Sequence, residues 1–243
     1  MIYITGDCHG DFKKLSSSRF KEQKELNKSD FVIICGDFGL WHDTAQERYW
    51  LNWLDEKPFT TVFIDGNHEN FDRLYGGEFE AVDFHGGKAH KIRSSIYHLM
   101  RGYVFELCGK KIFAFGGASS HDIKDGIVEA DEYDSRTMRN KMIRINHVSW
   151  WKEELPSCEE MDFGLKSLAE NNNTVDYIVT HCLPQNIAYL VSGGLFKEDE
   201  LTNYFDIIAE KMNFEKWFCG HYHVDYTVLP EYQILYNKII RIV

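Results

Sequence analysis

The sequence lacks the features of a secreted, membrane-embedded or disordered chain. Only four of its 243 residues are proline, and no low-complexity tract interrupts it. No apolar run reaches the roughly 18 residues that a membrane span needs, and Met1 leads directly into an apolar segment without a basic leader. We therefore expect a cytoplasmic protein without a membrane partner, folded as one domain over residues 1–243.

Paired cysteine motifs and excess positive charge are also missing. The six cysteines form no CxxC pair and do not indicate a disulfide framework, so reduced thiols are expected. With 27 basic against 38 acidic residues, the chain carries a net charge of -11. Such a surface repels polyanions, so no long nucleic acid is expected as a partner.

Short apolar runs at residues 2–5, 31–35 and 61–64 predict buried strands, each followed by a Gly, Asp or Asn turn signal. The stretches 11–26 and 44–56 between them carry apolar residues at helical spacing. This β-α-β-α-β order predicts a parallel sheet, and ligands of such sheets bind beyond the carboxyl ends of the strands.

The rest of the chain shows a less regular order of predicted helices and strands. Residues 79–115 predict antiparallel strands, including a pair at 103–107 and 111–115, whereas 117–150 show no clear period. Later helices are expected at residues 150–155, 159–170 and 199–212. Later strands are expected at residues 175–180, 217–219, 224–229, 232–236 and 239–243.

Three polar motifs follow the first three predicted strands. They are GDCHG at residues 6–10, GDFG at 36–39 and GNHE at 66–69. Asp7 and His9 would project from the same side of a continuing extended backbone and together bind one cation. A single motif of this kind is more often a turn former or a helix cap, but three consecutive strands that end this way favour a metal site.

Two further motifs place histidines after later strands, THCLP at residues 180–184 and GHYH at 220–223. A lone histidine at such a position is more often structural, but these accompany the carboxylates and amide of the earlier motifs. Cys8 and Cys182 adjoin the candidate ligands, and on an alternating backbone their thiols should point away from the ions.

The ordered pattern D-x-H, G-D, G-N-H-[DE], H and G-H-x-H resembles the calcineurin-like metallophosphoesterase superfamily, from Asp7 to His223. The resemblance implies an α/β (α+β) fold, a four-layer αββα sandwich of two mixed sheets flanked by helices, with a dinuclear metal site at the sheet edge. It also implies that one ion is held by Asp7, His9, Asp37 and His223, and the other by Asp37, Asn67, His181 and His221.

The resemblance further implies that Asp37 bridges the ions and that His68 is the general acid. Two cations about 3.5–4 Å apart can polarise a phosphoryl group and lower the pKa of a bridging water, and the resulting hydroxide attacks phosphorus. The oxygen and nitrogen donors do not select one metal, and we expect manganese or iron, with zinc or nickel as alternatives.

One position departs from the pattern. Many members continue the second motif as G-D-x-x-D, with the last Asp orienting the acid histidine, but this chain has Leu40 there. A protein serine/threonine phosphatase is therefore disfavoured. Asp43 and Asp72 are candidate substitutes, with solvated helix-end residues as the alternative reading.

Substrate choice is expected to reside in a variable, substrate-facing insertion near residues 117–160. His121 in the Gly-rich segment after strand 111–115, together with Arg136 and Arg139, are candidate substrate contacts. A surface histidine and a solvated basic face are the alternatives.

The predicted function is metal-dependent hydrolysis of a phosphomonoester or phosphodiester in a small phosphorylated substrate, with nucleotides among the candidates. The alternatives are a non-catalytic metal-binding scaffold of the same fold and a nuclease that acts on nucleic-acid ends. The intact ligand set disfavours the scaffold, and the acidic net charge disfavours the nuclease.

Overall fold

A computed structural model describes all residues from Met1 to Val243. Most strands belong to two mixed sheets of seven and six strands. The seven-stranded sheet contains β1 (Ile2–Thr5), β2 (Phe31–Ile34), β3 (Thr60–Phe63), β4 (Glu80–Phe84), β5 (Gly87–Arg93), β6 (Ile96–Leu99) and β15 (Ile240–Arg241). The six-stranded sheet contains β7 (Tyr103–Leu107), β8 (Lys110–Phe115), β11 (Tyr177–Thr180), β12 (Lys216–Cys219), β13 (Tyr226–Leu229) and β14 (Tyr232–Ile234).

The topology places parallel strands at the centre of each sheet. The first sheet has the order β15-β1-β2-β3-β6-β5-β4, with β1, β2, β3 and β6 mutually parallel. The second has the order β13-β14-β12-β11-β8-β7, with β8, β11, β12 and β14 parallel. Hairpins add antiparallel edges, including the predicted pair β7 and β8, and the C-terminal strand β15 pairs antiparallel with β1.

Six α-helices accompany the two sheets. They are α1 (Ala45–Asp55), α2 (Phe71–Tyr75), α3 (Ser135–Met138), α4 (Cys158–Glu170), α5 (Gln185–Ser192) and α6 (Glu200–Lys211). One apolar cluster joins the first sheet to α1 through Leu51 and Leu54, and another joins the second sheet to α6 through Leu201 and Phe205. The predicted four-layer sandwich is confirmed. None of the helices combines the length and the apolar character of a membrane span.

The layer between the sheets is the most deeply buried part of the core. Ile33 and Val62 of the first sheet share a cluster with Phe105, Val179 and Phe218 of the second. All of these side chains are at most 1% exposed. Burial of aliphatic and aromatic area contributes about 25 cal/mol per Å², so this layer strongly favours a fixed arrangement of the two sheets.

The expected helix over residues 11–26 is wrong. The segment instead forms two short 3-10 turns, Lys13–Leu15 and Lys21–Glu25. Three serines at residues 16–18 interrupt it, and serine favours local turns over the helix interior. Phe12, Leu15 and Phe20 are nevertheless buried, so the apolar residues of this segment indicate burial but not a helix.

The expected helix at 150–155 is reduced to a 3-10 turn, Lys152–Glu154. Leu155 precedes Pro156, which disfavours helical backbone at Leu155. The region near 117–150 that showed no period contains a separate two-stranded sheet, β9 (Gly126–Val128) and β10 (Ile143–Ile145), with α3 between its strands.

Candidate metal centre

Both sheets direct the carboxyl ends of parallel strands to one edge of the molecule. The turns after β1, β2 and β3 carry Asp7 and His9, Asp37, and Asn67 and His68, and the turns after β11 and β12 carry His181, His221 and His223. His181 of the second sheet donates from Nδ1 to the carbonyl oxygen of Cys35 in the first sheet, at 2.7 Å. The structure therefore brings together the predicted ligand residues from both sheets.

The first group consists of Asp7, His9, Asp37 and His223. Each offers a carboxylate oxygen or imidazole nitrogen, and these atoms all lie within 4.8 Å of one another. Nε2 of His223 is 3.1 Å from Asp7 Oδ2 and 3.0 Å from Nε2 of His9. Such a convergence of oxygen and nitrogen donors matches what a divalent cation requires.

The second group shares Asp37 with the first and adds Asn67, His181 and His221. His181 Nε2 lies 3.3 Å from Asp37 Oδ1, and the rings of His181 and His221 are 4.9 Å apart. Asn67 Oδ1 and His181 Nε2 are both buried without a hydrogen-bond partner. Buried polar atoms almost always have a partner, and a bound cation would satisfy both of these.

The turns that present the ligands have strained backbones. His9, Asp37, His221 and His223 have φ values of 48°, 46°, 66° and 51°, in the left-handed region that is uncommon for residues other than glycine. The expectation that Asp7 and His9 share one side of an extended backbone is wrong, because the chain turns at His9. The turn, and not strand alternation, brings the two side chains together.

Glycines before the ligands allow close approach between the turns. A Cβ on Gly36, where φ is 89°, would lie 2.1 Å from the His181 ring. A Cβ on Gly66 would lie 2.1 Å from Asp37 Oδ1. Gly36 and Gly66 are therefore required because another candidate ligand occupies the space that a side chain would need.

Asp37 and His181 shift each other's pKa in opposite directions. Burial alone would raise the pKa of Asp37, but His181 and the neighbouring imidazoles hold it well below its usual range. Burial alone would lower the pKa of His181, but the carboxylate of Asp37 raises it to about 10. Burial, reinforced by His181, holds the pKa of His221 well below its usual range, which favours the neutral imidazole that binds metals.

His68 borders the centre. Its backbone N–H donates to Asp37 Oδ1 at 2.8 Å, and its ring lies 5.2 Å from that of His9 and 6.1 Å from that of Trp41. Burial lowers the pKa of its imidazole, with Asp37 opposing that effect. Leu40, which occupies the usual carboxylate position, is 1% exposed and belongs to the core.

Neither proposed substitute carboxylate bonds to His68. Asp43 pairs with Arg48, with 2.8 Å between Oδ2 and Nη1. Asp72 accepts hydrogen bonds from Nδ1 of His147 at 2.9 Å and from the Trp151 indole at 2.7 Å. The hypothesis that Asp43 or Asp72 orients His68 is therefore wrong.

Glu69 has a role that the sequence did not reveal. Its fully buried carboxylate accepts hydrogen bonds from the backbone N–H groups of Phe38, Gly39 and Leu40 at 2.6 to 3.3 Å. It therefore fixes the loop that follows Asp37. Cys8 and Cys182 are also buried, and burial raises the pKa of the Cys8 thiol to about 11, which disfavours thiolate ligation.

The candidate substrate contacts occupy two settings, a surface helix and the border of the candidate metal centre. His121 adjoins it, with Nε2 2.8 Å from Nε2 of His221 and its ring stacked on Phe196. Arg136 and Arg139 are exposed at α3, and neither guanidinium makes an ion pair. Arg144 instead forms a bidentate ion pair with Asp122, the residue after His121.

A family model for calcineurin-like phosphoesterases matches residues 1–225, and the chain belongs to this family. The lariat debranching enzyme of Homo sapiens is 24% identical over 265 residues, which cover 96% of this chain and 43% of that protein. Lariat debranching enzyme A of Xenopus laevis is 25% identical, and the match covers 96% of this chain and 44% of that protein. The lariat debranching enzyme of Arabidopsis thaliana is 22% identical, and the match covers 95% of this chain and 56% of that protein. The chain thus spans about half the length of these curated relatives.

Proposed function

We propose that this chain hydrolyses phosphodiester bonds in a reaction that depends on two divalent metal ions. The observation that carries the proposal is the group of Asp7, His9, Asp37 and His223, beside which Asn67 Oδ1 and His181 Nε2 are buried and unsatisfied. When bound, the ions would polarise the phosphoryl group and lower the pKa of a water molecule. The mixed oxygen and nitrogen donors suit manganese or iron, and zinc and nickel are the alternatives to test.

The reaction also needs an acid that protonates the leaving oxygen, and His68 is our candidate for it. We propose that it donates a proton to the leaving oxygen, because it borders both ligand groups and retains partial exposure. Its backbone N–H bond to Asp37 fixes the position of the residue relative to the centre. General-acid catalysis of this kind contributes about 10²–10⁴-fold.

The substrate is proposed to be a nucleotide or a short or branched nucleic acid. The relatives are named lariat debranching enzymes, which favours a nucleic-acid substrate, whereas the net charge of -11 disfavours extended polyanions. A recess beside His9 is lined in part by the partly exposed rings of Trp41 and Trp50, and such rings can stack on a base. We propose that residues 117–160 complete the substrate site.

The first experiment loads the protein with Mn²⁺ or Fe²⁺ and measures cleavage of bis-p-nitrophenyl phosphate, p-nitrophenyl phosphate, cyclic and linear dinucleotides, and a lariat oligonucleotide with its linear counterpart. We expect metal-dependent turnover, with diesters preferred over the monoester. A metal-loaded protein that is inactive on every substrate would contradict the proposal. Cleavage of the lariat alone would identify it as the substrate class.

The role of His68 is tested with His68→Gln and two leaving groups. Loss of a general acid should reduce dinucleotide cleavage by about 10²–10⁴-fold, with a much smaller effect on bis-p-nitrophenyl phosphate, because p-nitrophenolate leaves without protonation. His85→Gln, at an exposed turn between β4 and β5, is the matched control. Equal losses on both substrates would contradict the acid role.

A further inference from the structure

Ser120 lies in the segment after β8 and reaches the second ligand group. Its hydroxyl oxygen accepts a hydrogen bond from Asn67 Nδ2 at 3.3 Å, across 53 residues of sequence. Ser120 is 5% exposed and Asn67 is also 5% exposed, so this contact is shielded from water. The side of the Asn67 amide that carries the nitrogen is therefore occupied by the protein, and Oδ1 is left without a partner.

Glu154 fixes the direction of this hydrogen bond. Its Oε2 accepts from the Ser120 hydroxyl at 2.7 Å, and its Oε1 accepts from the Ser120 backbone N–H at 2.9 Å. A serine hydroxyl has a single hydrogen, and Ser120 donates it in the hydrogen bond to Glu154. Only the lone pairs of the Ser120 oxygen remain for Asn67, so the Asn67 nitrogen, and not its oxygen, must face Ser120.

We propose that Ser120 and Glu154 are positioning residues that hold the Asn67 amide with Oδ1 directed at the second metal site. An asparagine amide is nearly symmetric in shape, and only its hydrogen-bond partners decide which end faces a ligand. The inference rests on the proposed function, because it assigns Asn67 to a metal. Outer partners of this kind change metal affinity by about 10–100-fold.

The hydrogen bonds that join Asn67, Ser120 and Glu154, called the relay below, also give the irregular middle segment a role in supporting the candidate metal site. Glu154 lies in the 3-10 turn Lys152–Glu154, and its backbone carbonyl accepts from the N–H of Ala118. Arg101 donates to the carbonyl of the preceding Glu153 at 2.7 Å and forms a buried ion pair with Asp65, two residues before Asn67. The turn is therefore fixed to the same loop that presents Asn67.

The experiment measures Mn²⁺ binding by isothermal titration calorimetry, with Mn²⁺ alone as the ligand. Ser120→Ala should bind one ion like the wild type and the other about 10–100-fold more weakly. Glu154→Gln should give at least that loss, because an amide nitrogen at Oε2 would donate to Ser120 and direct the hydroxyl hydrogen toward Asn67. Ser120→Thr retains the hydroxyl and should restore affinity to near that of the wild type.

Ser119→Ala is the matched control, since the neighbouring hydroxyl bonds to Asp199 and not to Asn67. Asn67→Ala is the reference for complete loss of the second ion. If Ser120→Ala and Glu154→Gln bind both ions like the wild type while Asn67→Ala loses one, the relay is overturned and the proposed function stands. If the wild type itself binds fewer than two ions, both are overturned.

Discussion

Glu69 is a buried side chain that holds the loop of the candidate ligand Asp37 without being a candidate ligand itself. Its carboxylate is surrounded by backbone N–H donors of the loop that carries Asp37. In Glu69→Gln an amide nitrogen would face one of these donors and leave it unsatisfied, at a cost of about 1–3 kcal/mol. We expect a lower urea midpoint and weaker Mn²⁺ binding. Glu210→Gln, on the exposed face of α6, is the control, and equal midpoints would contradict this role.

A buried histidine away from the centre predicts a pH dependence of stability. His98 contacts Asp65 through Nε2, so its Nδ1 accepts a hydrogen bond from Nδ1 of His90 at 3.0 Å. Burial, with His98 beside it, lowers the pKa of His90 to about 4, whereas an unfolded histidine has a pKa of about 6.5. Below pH 6.5 the unfolded chain binds a proton that the native His90 does not, so stability falls as the pH falls toward 4.

His90→Gln keeps a donor for His98 but does not titrate. Between pH 7 and pH 5 the wild type should lose about 2 kcal/mol more of its free energy of unfolding than the variant, at ~1.4 kcal/mol per pH unit below 6.5. Urea unfolding of both proteins at the two pH values measures this difference. Parallel pH dependences would show that His90 is not the titrating group.

At the scale of elements, the strand ends depend on glycines that have no room for a side chain. Gly36 and Gly77 have nearly the same φ, 89° and 88°, but a Cβ on Gly77 would meet nothing within 4 Å. Gly77→Ala should therefore cost only the backbone strain of about 1–2 kcal/mol. Gly36→Ala should also displace the His181 ring and reduce Mn²⁺ affinity and diester cleavage at least tenfold. Equal effects of the two variants on Mn²⁺ binding would contradict this account.

The elements differ in how well the sequence predicted them. β1 was predicted with its observed bounds, and α1 to within one residue at each end, because Thr44 caps it and apolar residues recur on one face. A helix was wrongly predicted over residues 11–26 because Phe12 and Leu15 have helical spacing, although serines interrupt the segment. The helix α5 was missed, since its apolar residues follow Pro184 without a polar side-chain cap.

The site was predictable where it follows from parallel strands and not where it depends on folded loops. Asp7, Asp37 and Asn67 each follow a strand, so their convergence follows from the order of the sheet. Glu69 and Ser120 bond to loop atoms about 30 and 53 residues away in sequence, and no local pattern indicates such partners. The partner of His68 was mispredicted for the same reason.

At the scale of the whole molecule, the two sheets should unfold together. They share a buried apolar layer, and the candidate ligands come from turns after strands of both sheets. We expect a single thermal transition, with far- and near-ultraviolet circular dichroism coincident. Mn²⁺ at a concentration about a hundredfold above its Kd should raise the free energy of unfolding by about 2.7 kcal/mol, and removal of Mn²⁺ with EDTA should reverse this increase. Two separate transitions, or a Tm that does not respond to Mn²⁺, would contradict the shared centre.

The most direct test of the dinuclear centre is anomalous diffraction from crystals of the protein loaded with Mn²⁺. The account predicts two anomalous peaks about 3.5–4 Å apart, with Asp37 between them. One peak should lie among Asp7, His9 and His223, and the other among Asn67, His181 and His221. A single peak, or a second peak away from Asn67 and His181, would contradict it.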